Sequence, residues 1–229
     1  MLSVLAIIPA RGGSKGLARK NVLPFAGRPL IAHTVSHALG SRRVTRTVVS
    51  TDDAEITRAA RAAGAEVVSR PPALATDTSP SEGAISHVLD ALCEGEGYLP
   101  DLVVFLQATS PLRDAGDIDG AVELLLRDEA DSVLSVCASH DFLWTREGSH
   151  ARPLNYDPAR RPRRQEMMPQ FRENGSIYVF RTVGYLKHRC RLFGRVGMFE
   201  QPGRLGFQID TEEDFAFLES MAHPLSLAA

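Results

Sequence analysis

Short apolar, β-branched runs alternate with amphipathic stretches from the N-terminus to Val136. These runs are too short for helices and are bounded by turn residues, so they predict buried strands. The predicted strands are Ser3–Ile8, Arg46–Ser50, Glu66–Ser69, Asp101–Leu106, Asp131–Val136 and, after an interruption, Ser176–Phe180.

The stretches between the strands have helical periodicity and recognisable ends. Asp52 or Asp53 is a predicted N-cap, and Gly40 and Gly64 are predicted stop signals. The pair Asp210-Thr211 is a predicted cap for the last helix. The predicted helices are Leu30–Leu39, Ala54–Ala63, Ser81–Leu92, Asp117–Arg127 and Glu212–Met221.

Strands that alternate with helices at this spacing predict βαβ units, and therefore an α/β, Rossmann-like fold with a mostly parallel sheet. Such sheets bind ligands at the carboxyl ends of their strands. The loops to consider follow Ile8, Ser50, Leu106 and Val136. Between Ala138 and Gln170 the alternation stops, and proline, glycine, arginine and aromatic residues predict an excursion. We therefore expect one domain over residues 1–229, with the excursion at about 138–170.

Composition narrows the class of protein. The 229 residues are 44% hydrophobic and 24% charged, as in ordinary globular domains. The net charge of −2 offers no basic excess for a nucleic-acid partner. Val4–Ile8 is too short for a signal sequence or a membrane span, so we expect no membrane association and a cytoplasmic location. The three cysteines lack metal or disulfide spacing, and His33 and His37 lack a third ligand.

A glycine-rich loop, Arg11–Gly16, follows the first predicted strand. Its glycines let backbone N–H groups approach phosphate oxygens, while Arg11, Lys15 and Lys20 add positive charge. The loop matches neither the Walker pattern nor GxGxxG, which argues against an NAD-dependent oxidoreductase even though Asp52 follows the second strand. The pattern indicates polyphosphate binding, and a plain glycine turn with surface cations is the alternative.

The wider sequence resembles the CMP-sialic acid synthetases (acylneuraminate cytidylyltransferases) over nearly its whole length. The matching motifs are Ile7–Gly16, Arg19–Asn21, Ala26–Ile31, Ser50–Asp53, Arg70–Pro72 with Leu74, Ala75 and Asp77, Leu106–Arg113, Arg164-Gln165, Asn174–Tyr178 and Asp210–Asp214. The resemblance implies a fold like that of nucleotide-diphospho-sugar transferases. It also implies a reaction in which CMP passes from CTP to an acidic sugar and pyrophosphate leaves.

The resemblance assigns roles to individual residues. The CTP-binding set is Arg11, Gly12, Gly13, Ser14, Lys15, Lys20, Asn21, Arg70 and Ser81. The sugar-binding set is Gln107, Arg164, Phe171, Asn174 and Tyr178. Three alternatives stay open: strand-end capping for Gln107, a solvated basic turn for Arg160–Arg164, and a core position for Tyr178.

Catalysis in this family rests on positioning and charge neutralisation, which the resemblance assigns to Arg11, Lys15, Lys20 and Asp210. It implies a divalent metal, Mg²⁺ with Mn²⁺ as a substitute, held by Asp210, whose alternative role is a helix N-cap. Many members carry Asp-Ile-Asp here, whereas this chain has Gln208-Ile209-Asp210. The amide at position 208 leaves open whether one metal or two bind, and the general base is unassigned.

The motif Asn174–Tyr178 is closer to the N-acetylneuraminate and legionaminate types than to the pseudaminate type. A Kdo-like sugar, a phosphonate acceptor, and a non-catalytic CTP-binding regulator are the alternatives. The resemblance also implies a homodimer that pairs through the excursion, with Arg160–Arg164 near the partner.

Overall fold

The computed structural model describes residues 2–14 and 16–222. Its main sheet has seven strands in the order β11-β7-β10-β6-β1-β4-β5. These strands are β1 (Val4–Pro9), β4 (Arg46–Thr51), β5 (Glu66–Ser69), β6 (Leu102–Leu106), β7 (Ser132–Ser139), β10 (Gln170–Arg181) and β11 (Val196–Glu200). β10 is antiparallel to both neighbours, and the other pairings are parallel. The predicted α/β fold with a mostly parallel sheet is confirmed.

Helices cover both faces of the sheet. They are α1 (Leu30–Gly40), α2 (Ala54–Ala62), α3 (Ser81–Glu96), α4 (Ala115–Arg127), α5 (Thr182–His188) and α6 (Glu212–Ala222). Alternate residues of β1 point to opposite faces, so Ala6 and Ile8 pack with α1, α2 and α4, whereas Leu5 and Ile7 pack with α3 and α5. The result is a three-layer sandwich with a buried central strand.

Several predicted boundaries were wrong for local reasons. The helix predicted from Asp117 begins at Ala115, because Asp114 and Asp117 form a reciprocal capping box. The strand predicted from Ser176 begins at Gln170, at the end of the predicted excursion. The sequence predictions omitted α5 and β11, because many polar residues in this part of the sequence interrupt the apolar pattern. Asp53 caps α2, as one of the two predicted alternatives stated.

The remaining strands form two small hairpins outside the main sheet. One pairs β2 (Pro24–Phe25) with β3 (Arg28–Pro29), and the other pairs β8 (Trp144–Glu147) with β9 (His150–Pro153). The second hairpin forms the middle of the predicted excursion. No helix in the part of the chain that is described is both long and apolar enough to cross a membrane.

Candidate active site

The first loop leaves β1 and bends over the end of β4. The Ala10 N–H donates to the Ser50 carbonyl (3.0 Å), and the Gly12 N–H donates to the Asp52 carboxylate (3.0 Å). A Cβ at position 12 would lie 2.8 Å from Asp53 Oδ2, so the close approach requires glycine. Lys15 lies outside the described residues.

Arg11 crosses from this loop to the segment before α3. Its guanidinium donates to the Thr76 carbonyl (2.6 Å) and pairs with the Asp77 carboxylate (3.0 Å). The Arg11 side chain remains 31% exposed, so a ligand can reach it. Arg11 is therefore a partly solvated cation at the rim of a cleft.

Lys20 and Asp210, far apart in the chain, meet at the opposite wall. Lys20 Nζ donates to the Ile209 carbonyl (2.7 Å) and to Asp210 Oδ1 (3.0 Å). The Lys20 side chain is 11% exposed and the Asp210 side chain 67%. Thr211 Oγ1, rather than the Asp210 carboxylate, accepts the Asp214 N–H at the start of α6. The Asp210 carboxylate faces Lys20 and solvent.

Two further predicted residues form the cleft floor. Asn21 is buried and donates from Nδ2 to the Arg11 carbonyl (3.1 Å), which holds the loop in place. Arg70 is buried and donates to the Ser50 hydroxyl (3.1 Å) and to the Ser50 carbonyl. Burial lowers the pKa of Arg70, which Asp52 partly restores. A desolvated cation at this depth favours an anionic or polar ligand.

These residues enclose a first cleft of about 320 Å³. Nine of the predicted site residues line it: Arg11, Gly13, Ser14, Lys20, Asn21, Arg70, Ser81, Gln107 and Asp210. Ser81 is the first residue of α3, so the helix N-terminus also faces the cleft. Three cations around the cleft and a helix N-terminus that faces it suit a polyphosphate.

A second cleft of about 510 Å³ adjoins the first. The two share Gln107, Gln208 and Asp210 as a common wall. The rest of the second cleft comes from the start of β10 and from the segment before α6. Its other lining residues are Arg172, Glu173, Asn174, Gly175, Tyr178, Gly206, Phe207 and Asp214. Two ligands bound in these clefts would meet at the shared wall.

The predicted sugar-binding residues are not all together. Gln107, Asn174 and Tyr178 line the second cleft, whereas Arg164 and Phe171 are not among the described residues that line either one. Arg164 is exposed in a short 3₁₀ turn, Arg164–Glu166, within the predicted excursion. Arg164 and Phe171 are exposed in this single chain.

The side chains of Asn174 and Tyr178 make internal bonds. Asn174 is buried, accepts from Ser135 Oγ (2.6 Å) and donates to Gln201 Oε1 (2.8 Å). The Tyr178 hydroxyl donates to Glu173. Burial, followed by the bond to Glu173, raises the pKa of Tyr178. The Tyr178 ring is also part of the core, as the alternative interpretation stated.

Arg172 is a site residue that the sequence predictions missed. It supplies a cation to the second cleft and lies two residues before Asn174. The prediction placed ligand contacts at the ends of parallel strands, but β10 is antiparallel. Its first residues therefore lie at that same edge. Arg172 could have been predicted as a site residue only by recognising that β10 runs antiparallel to its neighbours.

Arg113 is the other residue without a predicted role. Its guanidinium is fully buried and donates to the Gln107 carbonyl (2.7 Å), the Ser176 carbonyl (2.7 Å) and Thr34 Oγ1 (2.8 Å). Burial lowers its pKa to about 9. Arg113 joins the end of β6 to β10 beneath the shared wall.

Asp210 has few other potential metal ligands around it. Within residues 2–14 and 16–222, no group of three or more His, Cys, Asp or Glu side chains is arranged to hold a metal ion. Gln208 donates from Nε2 to the Asn174 carbonyl (2.6 Å) and to Gln107 Oε1 (3.2 Å). Asp210 is thus the carboxylate of the Gln208–Asp210 segment.

Known structures share this architecture. A CMP:2-keto-3-deoxy-manno-octonic acid synthetase complexed with CTP superimposes with a TM-score of 0.72 at 19% identity, covering 96% of this chain and 98% of that one. A 4-diphosphocytidyl-2C-methyl-D-erythritol synthase gives a TM-score of 0.70 at 10% identity, covering 97% and 100%. At these identities the likeness establishes the fold alone, which this chain shares with both enzymes.

Curated relatives are more similar in sequence. N-acylneuraminate cytidylyltransferase of Oncorhynchus mykiss is 38% identical over 94% of this chain and 49% of its own length. The enzyme of the same name from Streptococcus agalactiae serotype III (strain NEM316) is 31% identical over 92% of this chain and 51% of its own length. The chain spans about half the length of the curated relatives it matches. A family model described as cytidylyltransferase matches residues 5–222, and the chain therefore belongs to the cytidylyltransferase family.

Proposed function

We propose that the chain is an enzyme that transfers CMP from CTP to a nonulosonic acid of the N-acetylneuraminate or legionaminate type. The observation that carries this proposal is the pair of adjoining clefts with a shared wall of Gln107, Gln208 and Asp210. One cleft has cations suited to a triphosphate, and the other has Arg172 to face an acid. Names of relatives support the acceptor class, because those relatives are N-acylneuraminate cytidylyltransferases.

In the proposed reaction, the anomeric hydroxyl oxygen attacks the α-phosphorus of CTP and forms a new P–O bond. The bond from the α-phosphorus to the β-phosphate oxygen breaks, and pyrophosphate leaves. Arg11 and Lys20 neutralise charge on the phosphates, and the first loop orients them. Arg70 and Asn21 hold the nucleoside end, and Gln107 contacts the acceptor beside the α-phosphate. The hydroxyl proton passes to solvent or to a nearby base.

We propose Mg²⁺ as the metal, with Mn²⁺ as a substitute. Asp210 is an exposed hard oxygen ligand at the junction of the clefts, and phosphate oxygens and water would complete the coordination. The ion would draw electron density from the phosphate oxygens. Gln208→Asp adds a carboxylate two residues away, and we expect it to lower the Mg²⁺ concentration needed for half-maximal activity.

We also propose that the chain works as a cytoplasmic homodimer. The excursion exposes large apolar side chains, which a second copy would cover. They are Leu143, Trp144, Leu154 and Met168, which are between 49% and 80% exposed. Arg164 would then act near the partner. Sedimentation at micromolar concentration tests this, since a stable monomer would contradict it.

Pyrophosphate release with CTP and Mg²⁺ tests the activity across N-acetylneuraminate, legionaminate, a Kdo-like sugar and a phosphonate. We expect pyrophosphate release with the nonulosonic acids, and we expect their kcat/KM to be the highest of the panel. Release with only the other acids would reassign the acceptor. CTP binding by calorimetry, without release with any acid, would favour a non-catalytic CTP-binding regulator.

A further inference from the structure

The side-chain amides of Gln107 and Gln208 and the backbone carbonyl of Asn174 form a hydrogen-bonded chain between the clefts. Gln208 Nε2 donates to the Asn174 carbonyl (2.6 Å) and to Gln107 Oε1 (3.2 Å). Thr109 Oγ1 lies 3.5 Å from the same Gln107 oxygen. Gln107 and Gln208 are both partly buried, and each lines both clefts.

The direction of this chain follows from the backbone. A carbonyl oxygen can only accept, so the Gln208 atom beside Asn174 must be the amide nitrogen. The second N–H of that nitrogen faces Gln107, where only the amide oxygen can accept it. The Gln107 nitrogen is therefore turned away from Gln208 and left to donate to a ligand.

The backbone at Gly175 restricts Gln208 further. Gly175 has a φ of +66°, and a Cβ there would lie 2.0 Å from Gln208 Nε2 and 3.0 Å from Gln107 Oε1. The two amides thus pack directly on a bare backbone. At Gln107, Arg113 fixes the backbone by donating to the backbone carbonyl oxygen (2.7 Å).

We propose that Gln208 is a positioning residue that makes Gln107 a hydrogen-bond donor toward the acceptor. The site then selects an acceptor that offers Gln107 an oxygen lone pair, such as an acyl carbonyl or a hydroxyl. A carboxylate at position 208 can only accept, so it would draw the Gln107 nitrogen toward itself and turn the Gln107 oxygen to the ligand. The inference rests on the proposed function, because the acceptor is the sugar acid.

A double-mutant cycle tests whether Gln208 acts through Gln107. Gln208→Glu keeps the length of the side chain but has no donor at neutral pH. We expect it to lower kcat/KM for N-acetylneuraminate about tenfold, mainly through KM, and to leave KM for CTP within about twofold. In a Gln107→Met background the same change should have little effect. The matched control is Ala62→Glu, which adds a negative charge at an exposed position of α2 that lines neither cleft.

A full tenfold effect in the Gln107→Met background, or no effect of Gln208→Glu in either, would overturn the proposal. Side-chain amide exchange by ¹⁵N NMR gives a readout that needs no turnover. In the ligand-free protein, the Gln208 NH₂ protons should exchange slowly and the Gln107 protons fast. Fast exchange at Gln208 with protection at Gln107 would overturn the inference. Failure of the wild type to release pyrophosphate would count against the proposed function alone.

Discussion

The two clefts are assembled in different ways. The first takes most of its polar groups from loops that follow β1 and β5 and from the first turn of α3. Many are already paired within the protein, as Arg11 is with Asp77 and Lys20 with Asp210. The second takes its groups from an antiparallel strand and a segment before α6. Two segments, residues 9–21 and 70–84, supply most of the first cleft, whereas the second depends on β10 and the residues before α6 being held in register.

Arg113 provides the strongest test of that dependence. Arg113→Met leaves the buried carbonyls of Gln107 and Ser176 without their donor, and we expect a loss of about 4 kcal/mol in unfolding free energy. Urea denaturation measures it. Arg113→Lys keeps a charge and some donors, so it should recover part of the loss. Equal stability of Arg113→Met and the wild type would show that the shared wall stands without Arg113.

Arg11 tests the first cleft alone. Arg11→Ala removes a cation from the phosphate side and should lower kcat at least about tenfold, with the fold intact by circular dichroism. Arg43→Ala is the matched control, because Arg43 also pairs with a carboxylate but lies away from the clefts. Unchanged turnover in Arg11→Ala would mean that the phosphates bind elsewhere.

Arg172 tests the second cleft in the same manner. Arg172→Ala should raise KM for the acidic acceptor about tenfold and leave KM for CTP unchanged, because only one cleft loses a cation. Steady-state kinetics with each substrate varied in turn separates the two effects. Arg127→Ala, at the exposed end of α4, is the control. Equal effects on both substrates would show that the clefts are not independent.

His37 adds a pH test of the support beneath the shared wall. Burial, followed by the charge of Arg113, lowers its pKa from 6.5 to about 3. The unfolded chain therefore binds a proton below pH 6.5 that the folded chain refuses, and stability falls as the pH falls. From pH 7 to pH 5 this group should remove about 2 kcal/mol. His37→Gln should flatten that slope when urea titrations are repeated between pH 5 and pH 7, and an unchanged slope would contradict the expectation.

The difference between the clefts also explains what the sequence could predict. Arg11, Gly13, Ser14, Lys20, Asn21 and Arg70 belong to motifs that the resemblance identified, and the structure brings them together in the first cleft. Arg172 was missed because its place depends on the direction of β10 in the sheet. Gln208 was read as a lost carboxylate, whereas its contacts are those of a donor between two acceptors. Such contacts join residues far apart in sequence, and no local pattern encodes them.

Gly16 shows how little space separates the first loop from the last helix. A Cβ at this position would lie 2.1 Å from the Asp210 carbonyl. Nearby, Leu17, Ile209 and Leu218 pack in one apolar cluster. Position 16 is therefore a spacer of fixed length between the phosphate-side loop and the exposed carboxylate. A larger residue at position 16 would push the loop away from Asp210. The loop and the Asp210 carboxylate could then no longer contact the same ligand.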